Sequence, residues 1–213
     1  MITLEIPEKE SLEYLLSVAL FAITSSVTPG PNNIMVMTSG LNFGVRRSLP
    51  LLTGICVGFT VMLLLVGLGF GQLFMLFPQL DLTIKMVGAA YLLYLAWQIA
   101  SATDVGSGNQ QAKPFGFIKG ALFQWVNAKA WVVAIGAISA FTTVGDSFLS
   151  QNVTIASTFF IASFPCVGIW LIFGTWLREP LEDPVYLRWF NIMMAMLLVG
   201  SVLPVVRDIW LQF

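Results

Sequence analysis

The sequence predicts an all-α membrane protein of six transmembrane helices, the first of them discontinuous. Of the 213 residues, 57% are hydrophobic and 10% are charged, and the mean hydropathy is +0.86, far from the usage of soluble domains. A membrane span needs roughly 20 apolar residues to cross about 30 Å of hydrocarbon, and six apolar stretches are long enough. The first stretch contains the segment Pro29-Gly30-Pro31, and proline interrupts a helix because it lacks the backbone N–H and clashes with the preceding turn.

The six predicted spans are Leu12 to about Thr38 (interrupted at Pro29), Leu49 to Phe74, Leu82 to Ala100, Phe117 to Phe141, Val153 to Leu177 and Leu187 to Trp210. The gaps between them hold no soluble domain, so residues 1–213 form a single transmembrane domain. The polar segment 101–114 separates halves 12–100 and 117–210, with three spans in each. If these halves are repeats, an odd number of spans gives them opposite orientations, which is the hypothesis of an inverted 3+3 repeat.

Composition excludes several classes of function. The net charge is −1, so no basic surface indicates a nucleic-acid partner. There is no histidine, which removes the commonest zinc ligand and the commonest general acid or base. Cys56 and Cys166 lie inside apolar stretches, which favours small packed side chains over a metal pair. We therefore predict no metal and no cofactor, and the lipid bilayer is the expected surroundings.

Loop charges predict the orientation, because an excess of Lys and Arg marks the cytoplasmic side. The loops after spans one, three and five carry Arg46, Arg47, Lys113, Lys119, Arg178 and Arg188, whereas the other side carries Lys9, Lys85 and Arg207. Both termini are therefore expected outside the cytoplasm.

The segment 28–33 of the first span reads Thr-Pro-Gly-Pro-Asn-Asn. Broken helices persist at membrane depth where they line a cavity, and they build substrate sites in secondary transporters. A helix that restarts after Pro31 presents free N–H groups and a positive dipole end, which suit a carboxylate. The amides of Asn32 and Asn33 could orient a polar solute, or they could simply cap the broken helix ends.

Lys129 is the one charged residue well inside a predicted span, and Asn127 lies two residues before it. It follows Lys119 by ten residues, so an unbroken helix would place it about 15 Å deeper in the bilayer. Such residues normally face a cavity or a partner. We predict that Lys129 binds substrate; the alternatives are snorkelling to the cytoplasmic interface and a structural tie to backbone carbonyls.

Glycine pairs in the second span predict close helix contacts. Gly54 and Gly58 form one GxxxG motif, and Gly67 and Gly71 form another. These motifs permit a homodimer without requiring one.

Four segments give the chain a family resemblance. Residues 26–33 read SVTPGPNN, residues 40–47 read GLNFGVRR, residues 88–92 read GAAYL and residues 123–130 read FQWVNAKA. In these segments the chain resembles the LysE/RhtB family of amino-acid exporters, and within it most the cysteine/O-acetylserine exporter branch. The resemblance implies a small inner-membrane carrier that expels amino acids with the help of the proton gradient. The family's usual Asn-Pro-Lys reads Asn127-Ala128-Lys129 here, so no proline breaks the fourth span and its continuity stays open.

The expected function is therefore secondary transport, in which a small neutral amino acid or derivative leaves the cell by alternating access. The site is expected between spans one and four, with Lys129 and the N–H groups after Pro31 on the carboxylate and the asparagines around it. Its predicted residues are Pro29, Gly30, Pro31, Asn32, Asn33, Asn127 and Lys129. A membrane-embedded enzyme is disfavoured, because no histidine, carboxylate pair or activated nucleophile is evident. A passive channel or an assembly subunit is the remaining alternative.

Overall fold

The computed structural model describes residues 12–69, 71, 76, 78–101 and 114–210, and the helices in them follow the apolar stretches. The acidic N-terminal segment, Lys9, Lys113 and most of the polar linker lie outside the described residues. The α-helices are α1 (Leu12–Val27), α2 (Pro31–Gly67), α3 (Pro78–Ala100), α4 (Phe117–Phe123), α5 (Ala128–Phe141), α6 (Phe148–Trp176) and α7 (Pro184–Trp210). Short 3-10 turns span Gln124–Val126 and Pro180–Glu182.

The first predicted span is discontinuous, as expected. Helix α1 ends at Val27, and α2 begins at Pro31, a position where proline costs no hydrogen bond because the first N–H groups of a helix have no intrahelical partner. The side chain of Asn33 holds the broken end in place, since its amide donates to the carbonyls of Ser26 and Thr28, both at 2.9 Å.

Helix α2 is a hairpin of two arms rather than one rod. Its 37 residues would extend about 55 Å if straight. Gly44 instead has φ 76° and ψ 172°, and the hydroxyls of Ser39 and Ser48 hydrogen-bond at 2.7 Å. In a straight helix these two residues would lie about 13 Å apart along the axis. Gly44 therefore reverses the chain between arm 31–43 and arm 45–67, and its positive φ favours glycine.

The fourth predicted span, whose continuity the sequence leaves open, is also broken. Residues Phe117–Val126 and Ala128–Phe141 meet at an angle of 72° at Asn127, which has an extended backbone with φ −89° and ψ 102°. No proline is needed, because Asn127 supplies a cap: its side-chain oxygen accepts from the backbone N–H of Lys129 at 3.2 Å. The expectation that Lys129 lies 15 Å beyond Lys119 along one helix is therefore wrong.

Helix α6 forms the centre of the packing around the two breaks. Glycines allow the backbones to approach closely there: Gly40 faces the backbone of Leu171, and Gly174 faces that of Met37. Gly54 and Gly58 of arm 45–67 pack against the backbone of α4, which confirms the predicted close contact for this GxxxG pair. Helices α3 and α7 pack together, with Lys85 Nζ 4.0 Å from a carboxylate oxygen of Asp208.

By length and composition, four described helices can each cross a membrane, or five if the bent pair α4–α5 is one span. Helix α1, with 16 residues, is shorter. Because α2 is a hairpin, its arms are two separate segments, and this supports the division into six spans. The count of six stays a prediction.

Candidate functional site

A cavity lies where the two broken helices meet. The empty space there, with the open mouth included, is about 480 Å³. Both breaks contribute polar groups, and arm 45–67 and α6 contribute mostly apolar ones. The lining is Ser25, Ser26, Gly30, Asn32, Asn33, Ile55, Cys56, Phe59, Asn127, Lys129, Ala130, Val133, Phe159, Ser163 and Val167. Of these residues, Lys129 alone carries a charge.

The ammonium of Lys129 spans the gap between the two breaks. It donates to the backbone carbonyl of Thr28 at 2.9 Å, to the Thr28 hydroxyl at 2.9 Å and to the carbonyl of Pro29 at 3.3 Å. An ammonium has three N–H donors, so these three acceptors match its full donor capacity. Lys129 thus makes the tie to backbone carbonyls that was one of the alternatives, while it also lines the cavity.

Helix dipoles explain why the Lys129 side chain extends from α5 toward the end of α1. Lys129 lies in the first turn of α5, where the partial positive charge of the helix N-terminus disfavours a cation. The end of α1 presents carbonyls that have no partner within the helix, and with them a partial negative charge. The lysine side chain therefore reaches away from its own helix and neutralises the carbonyl end of another.

Gly30 makes room for this side chain. A methyl group at Gly30 would lie 2.9 Å from Lys129 Cδ and 3.1 Å from Nζ, closer than van der Waals contact allows. The backbone of Gly30 is extended, with φ 179°, so close approach rather than an unusual φ favours glycine here. Any larger residue would push Lys129 away from Thr28.

The N-terminus of α2 is open toward the cavity. No side chain caps it at Gly30, and Pro31 at the first helical position has no N–H to offer. The N–H groups of Asn32 and Asn33 are the next two in the first turn, where an α-helix leaves its donors without intrahelical partners. A carboxylate in the cavity could accept from them.

Asn32 links the two breaks through a reciprocal amide pair. Its Nδ2 donates to Gln124 Oε1 at 2.9 Å, and Gln124 Nε2 donates back to Asn32 Oδ1 at 3.0 Å. Gln124 also donates to the Gly120 carbonyl at 3.0 Å, and its side chain is fully buried. The pair joins the 3-10 turn before Asn127 to the start of α2.

Two tryptophans brace the ends of the breaks. The indole N–H of Trp131 donates to the Trp125 carbonyl at 2.9 Å, and the two rings meet edge to face. On the other side, the indole N–H of Trp170 in α6 donates to the Val27 carbonyl at 3.1 Å. Both indoles satisfy backbone carbonyls that the interrupted helices leave exposed.

Five predicted site residues line the cavity together: Gly30, Asn32, Asn33, Asn127 and Lys129. Pro29 and Pro31 do not line it; Pro29 contributes its carbonyl to Lys129, and Pro31 begins α2. Two of the asparagines cap helix ends, as the structural alternative held: Asn33 caps α1 and Asn127 caps α5.

Sequence reasoning missed several contributors to the site, among them Thr28, Ser163 and Cys56. Thr28 supplies two of the three acceptors for Lys129, although it stands next to Pro29 in the same motif. Ser163 and Cys56 line the cavity from helices that carry no sequence signal for a site. Only the position of Thr28 in the break could have indicated its role.

Comparison with known proteins agrees with the sequence motifs. The cysteine/O-acetylserine efflux proteins of Salmonella typhimurium (strain LT2) and Escherichia coli (strain K12) are each 34% identical to this chain, over 84% of it and 90% of their own length. The protein of the same name from Klebsiella pneumoniae is 37% identical over 57% of this chain and 61% of its own. No solved structure matches. The family model described as LysE type translocator matches residues 23–207, and the chain therefore belongs to the LysE type translocator family.

Proposed function

We propose that this protein exports a small neutral amino acid or derivative, such as cysteine or O-acetylserine, from the cytoplasm. Membership of a translocator family sets the enzyme alternative aside. The names of the efflux proteins at 34% identity support this class of solute. The protein is proposed to lie in the inner membrane with both termini outside, and to draw on the proton gradient as the family resemblance implies.

The single observation that carries the proposal is the pairing of Lys129 with the open N-terminus of α2 in one cavity. The lysine offers a positive charge, and the N–H groups of Asn32 and Asn33 offer donors at a positive dipole end. Once Lys129 turns away from the Thr28 and Pro29 oxygens, a carboxylate that bridges the lysine and these N–H groups gains charge-assisted hydrogen bonds in a site of low dielectric. The apolar wall, which includes Phe59 and Phe159, suits a short side chain.

Alternating access would act on the two breaks. The Asn32–Gln124 pair and the Lys129–Thr28 contacts both join the two broken spans. Relative rocking of the broken segments would exchange these contacts and open the cavity to one side at a time.

Lys129→Ala should reduce transport strongly, because the carboxylate loses its charged partner. Loss of a hydrogen bond to a charged group costs about 1.5–3 kcal/mol, which corresponds to a fall of roughly 10- to 100-fold in apparent affinity. The measurement is uptake of labelled cysteine and O-acetylserine into proteoliposomes loaded with unlabelled solute, with equal amounts of folded protein in each sample.

Lys119→Ala is the matched control, because this lysine is exposed in α4 and lies over the Phe115 ring at 4.8 Å, away from the cavity. It should leave uptake unchanged. Equal uptake by wild type and Lys129→Ala would remove the proposed role of Lys129. Uptake that never exceeds the external concentration, with or without an imposed proton gradient, would favour a passive channel.

A further inference from the structure

We propose that the three oxygens that hold Lys129 form the binding site for the α-ammonium group of the substrate. In the structure Lys129 itself occupies this site, as an internal substitute for that group. The proposal deepens the proposed function and rests on it, because it assigns the second charged group of a zwitterionic amino acid.

The first step is the chemistry of the acceptors. The Thr28 carbonyl, the Thr28 hydroxyl and the Pro29 carbonyl surround one ammonium at 2.9 to 3.3 Å. Their chemistry recognises any primary ammonium, because carbonyl and hydroxyl oxygens at the negative end of α1 stabilise a cation without neutralising it. A substrate ammonium would find the same three partners.

The second step is access. Thr28 and Pro29 are exposed, whereas Gly30 beside them is buried and lines the cavity. The acceptor oxygens therefore belong to exposed residues that adjoin the cavity at Gly30, and a ligand can reach them when Lys129 moves aside. The break fixes their positions, since the Thr28 hydroxyl also donates to the Ser25 carbonyl at 2.9 Å and Asn33 holds the Thr28 carbonyl.

The third step is charge. A simple amine that displaced Lys129 would leave two cations side by side in a cavity whose lining has no acidic side chain. A zwitterion avoids this repulsion, because its carboxylate can lie between its own ammonium and the displaced Lys129. The exchange therefore selects solutes that carry an ammonium and a carboxylate on the same carbon atom, and it rejects plain amines and N-acylated amino acids.

The first test compares competitors for labelled cysteine uptake by wild-type protein in proteoliposomes under reducing conditions. Unlabelled cysteine and O-acetylserine, which both carry a primary α-ammonium, should compete. N-acetylcysteine, which keeps the carboxylate and loses the ammonium, should compete about tenfold or more weakly. Equal competition by N-acetylcysteine would overturn the ammonium site while leaving the exporter proposal intact.

Thr28→Val tests the site at one atom, since it removes the hydroxyl acceptor and keeps the side-chain shape. It should weaken the apparent affinity for cysteine by roughly 5- to 10-fold. Thr28→Ser is the matched control, because it retains both the contact with Lys129 and the bond to Ser25, and it should behave like wild type. Equal affinities for Thr28→Val and Thr28→Ser would contradict the proposal.

A third measurement needs no transport. In Lys129→Ala the three acceptors lose their occupant, so methylammonium chloride should raise the thermal unfolding temperature of this variant in detergent above the value in equal sodium chloride. Wild type, whose site Lys129 fills, should show no such difference. Equal shifts of the unfolding temperature in the two proteins would overturn the proposed ammonium site. A wild-type protein that takes up no cysteine would instead refute the choice of solute in the proposed function. If Lys129→Ala does not fold, the competition and Thr28 experiments decide the matter.

Discussion

At the scale of the residue, three asparagines of one site play three different parts. Asn33 uses both donors of its amide to cap α1, Asn127 caps α5 through its side-chain oxygen, and Asn32 pairs with Gln124. All three supply hydrogen bonds to buried backbone or amide groups. Groups of this kind left without hydrogen bonds are the main cost of breaking a helix within a membrane. The contacts that these side chains make in the structure hold the breaks in shape.

The Asn32–Gln124 pair should show strong coupling between its two residues. Asn32→Leu and Gln124→Leu should each lower the free energy of unfolding by about 1–2 kcal/mol, because each leaves a partly or fully buried amide without its partner. The double variant should cost less than the sum of the two, since neither amide then remains. Denaturant titration in mixed micelles measures the free energy of unfolding of the wild type, the two single variants and the double variant.

Gln98→Leu provides the comparison for this cycle, because its amide makes an exposed hydrogen bond to the Tyr94 hydroxyl within α3 at 2.8 Å. It should change the free energy of unfolding by less than about 0.5 kcal/mol. Additive effects of Asn32→Leu and Gln124→Leu would mean that the amide pair does not join the two breaks in the bilayer.

At the scale of the element, glycines determine which helices can meet. Gly54 and Gly58 lie one helical turn apart on arm 45–67 and face the backbone of α4 near Phe117 and Ala121. Gly67 continues the same arm and packs against the buried amide of Asn152. In a bilayer, close backbone packing replaces the hydrophobic effect as the cause of helix association, so these contacts hold the broken fourth span in place.

Gly54→Ala should destabilise the protein, because the added methyl group would overlap the carbonyl oxygen of Phe117, a backbone atom that cannot move alone. Overpacking of this kind costs about 1–3 kcal/mol. The readout is the thermal unfolding temperature in detergent, together with cysteine uptake, which should fall as α4 is displaced.

Gly200→Ala in α7 serves as its control, because nothing lies within 4 Å of the added methyl group. This substitution should be neutral or slightly stabilising, by up to about 1 kcal/mol, since alanine favours a helix over glycine. A Gly54→Ala protein as stable as Gly200→Ala would show that arm 45–67 and α4 are not in tight contact.

At the scale of the whole molecule, the set of packed helix pairs stays the same when the two predicted halves of the chain are interchanged. Arm 45–67 packs against α4, with Gly54 beside Phe117 and Gly58 beside Ala121. Helix α1 packs parallel to α6, with Phe21 beside Phe159 and Val27 beside Trp170. The first pair joins spans two and four, and the second joins spans five and one. If each span of one half is exchanged for its counterpart in the other half, the first pair becomes the second. The pair α3–α7, which joins spans three and six, becomes itself. This pattern supports the proposal that halves 12–100 and 117–210 form an inverted repeat.

The inverted repeat and the proposed orientation make one joint prediction about topology. Alkaline phosphatase is active only outside the cytoplasm, where its disulfides form. A fusion at the C-terminus should be active, and a fusion after Ser101, at the end of the first half, should be inactive. The physical reason is the Lys and Arg excess of the loops after spans one, three and five.

A cytoplasmic reporter such as a fluorescent protein should give the opposite pattern at the same two positions and controls for expression. Activity of the phosphatase at both positions would exclude an odd number of spans in the second half. It would refute the inverted repeat and the six-span count together.

The sequence alone determined the features that depend on local chemistry. The break between Val27 and Pro31 follows from two prolines and a glycine, and the apolar spans, the family and the single cation at the site follow from residue identity. Tertiary structure decided the partners. Lys129 meets Thr28 across 101 residues and Asn32 meets Gln124 across 92, contacts that only helix packing creates. The break at Asn127 likewise forms without proline, because an asparagine cap, the Trp125–Trp131 contact and the Gln124 amide satisfy the freed backbone there.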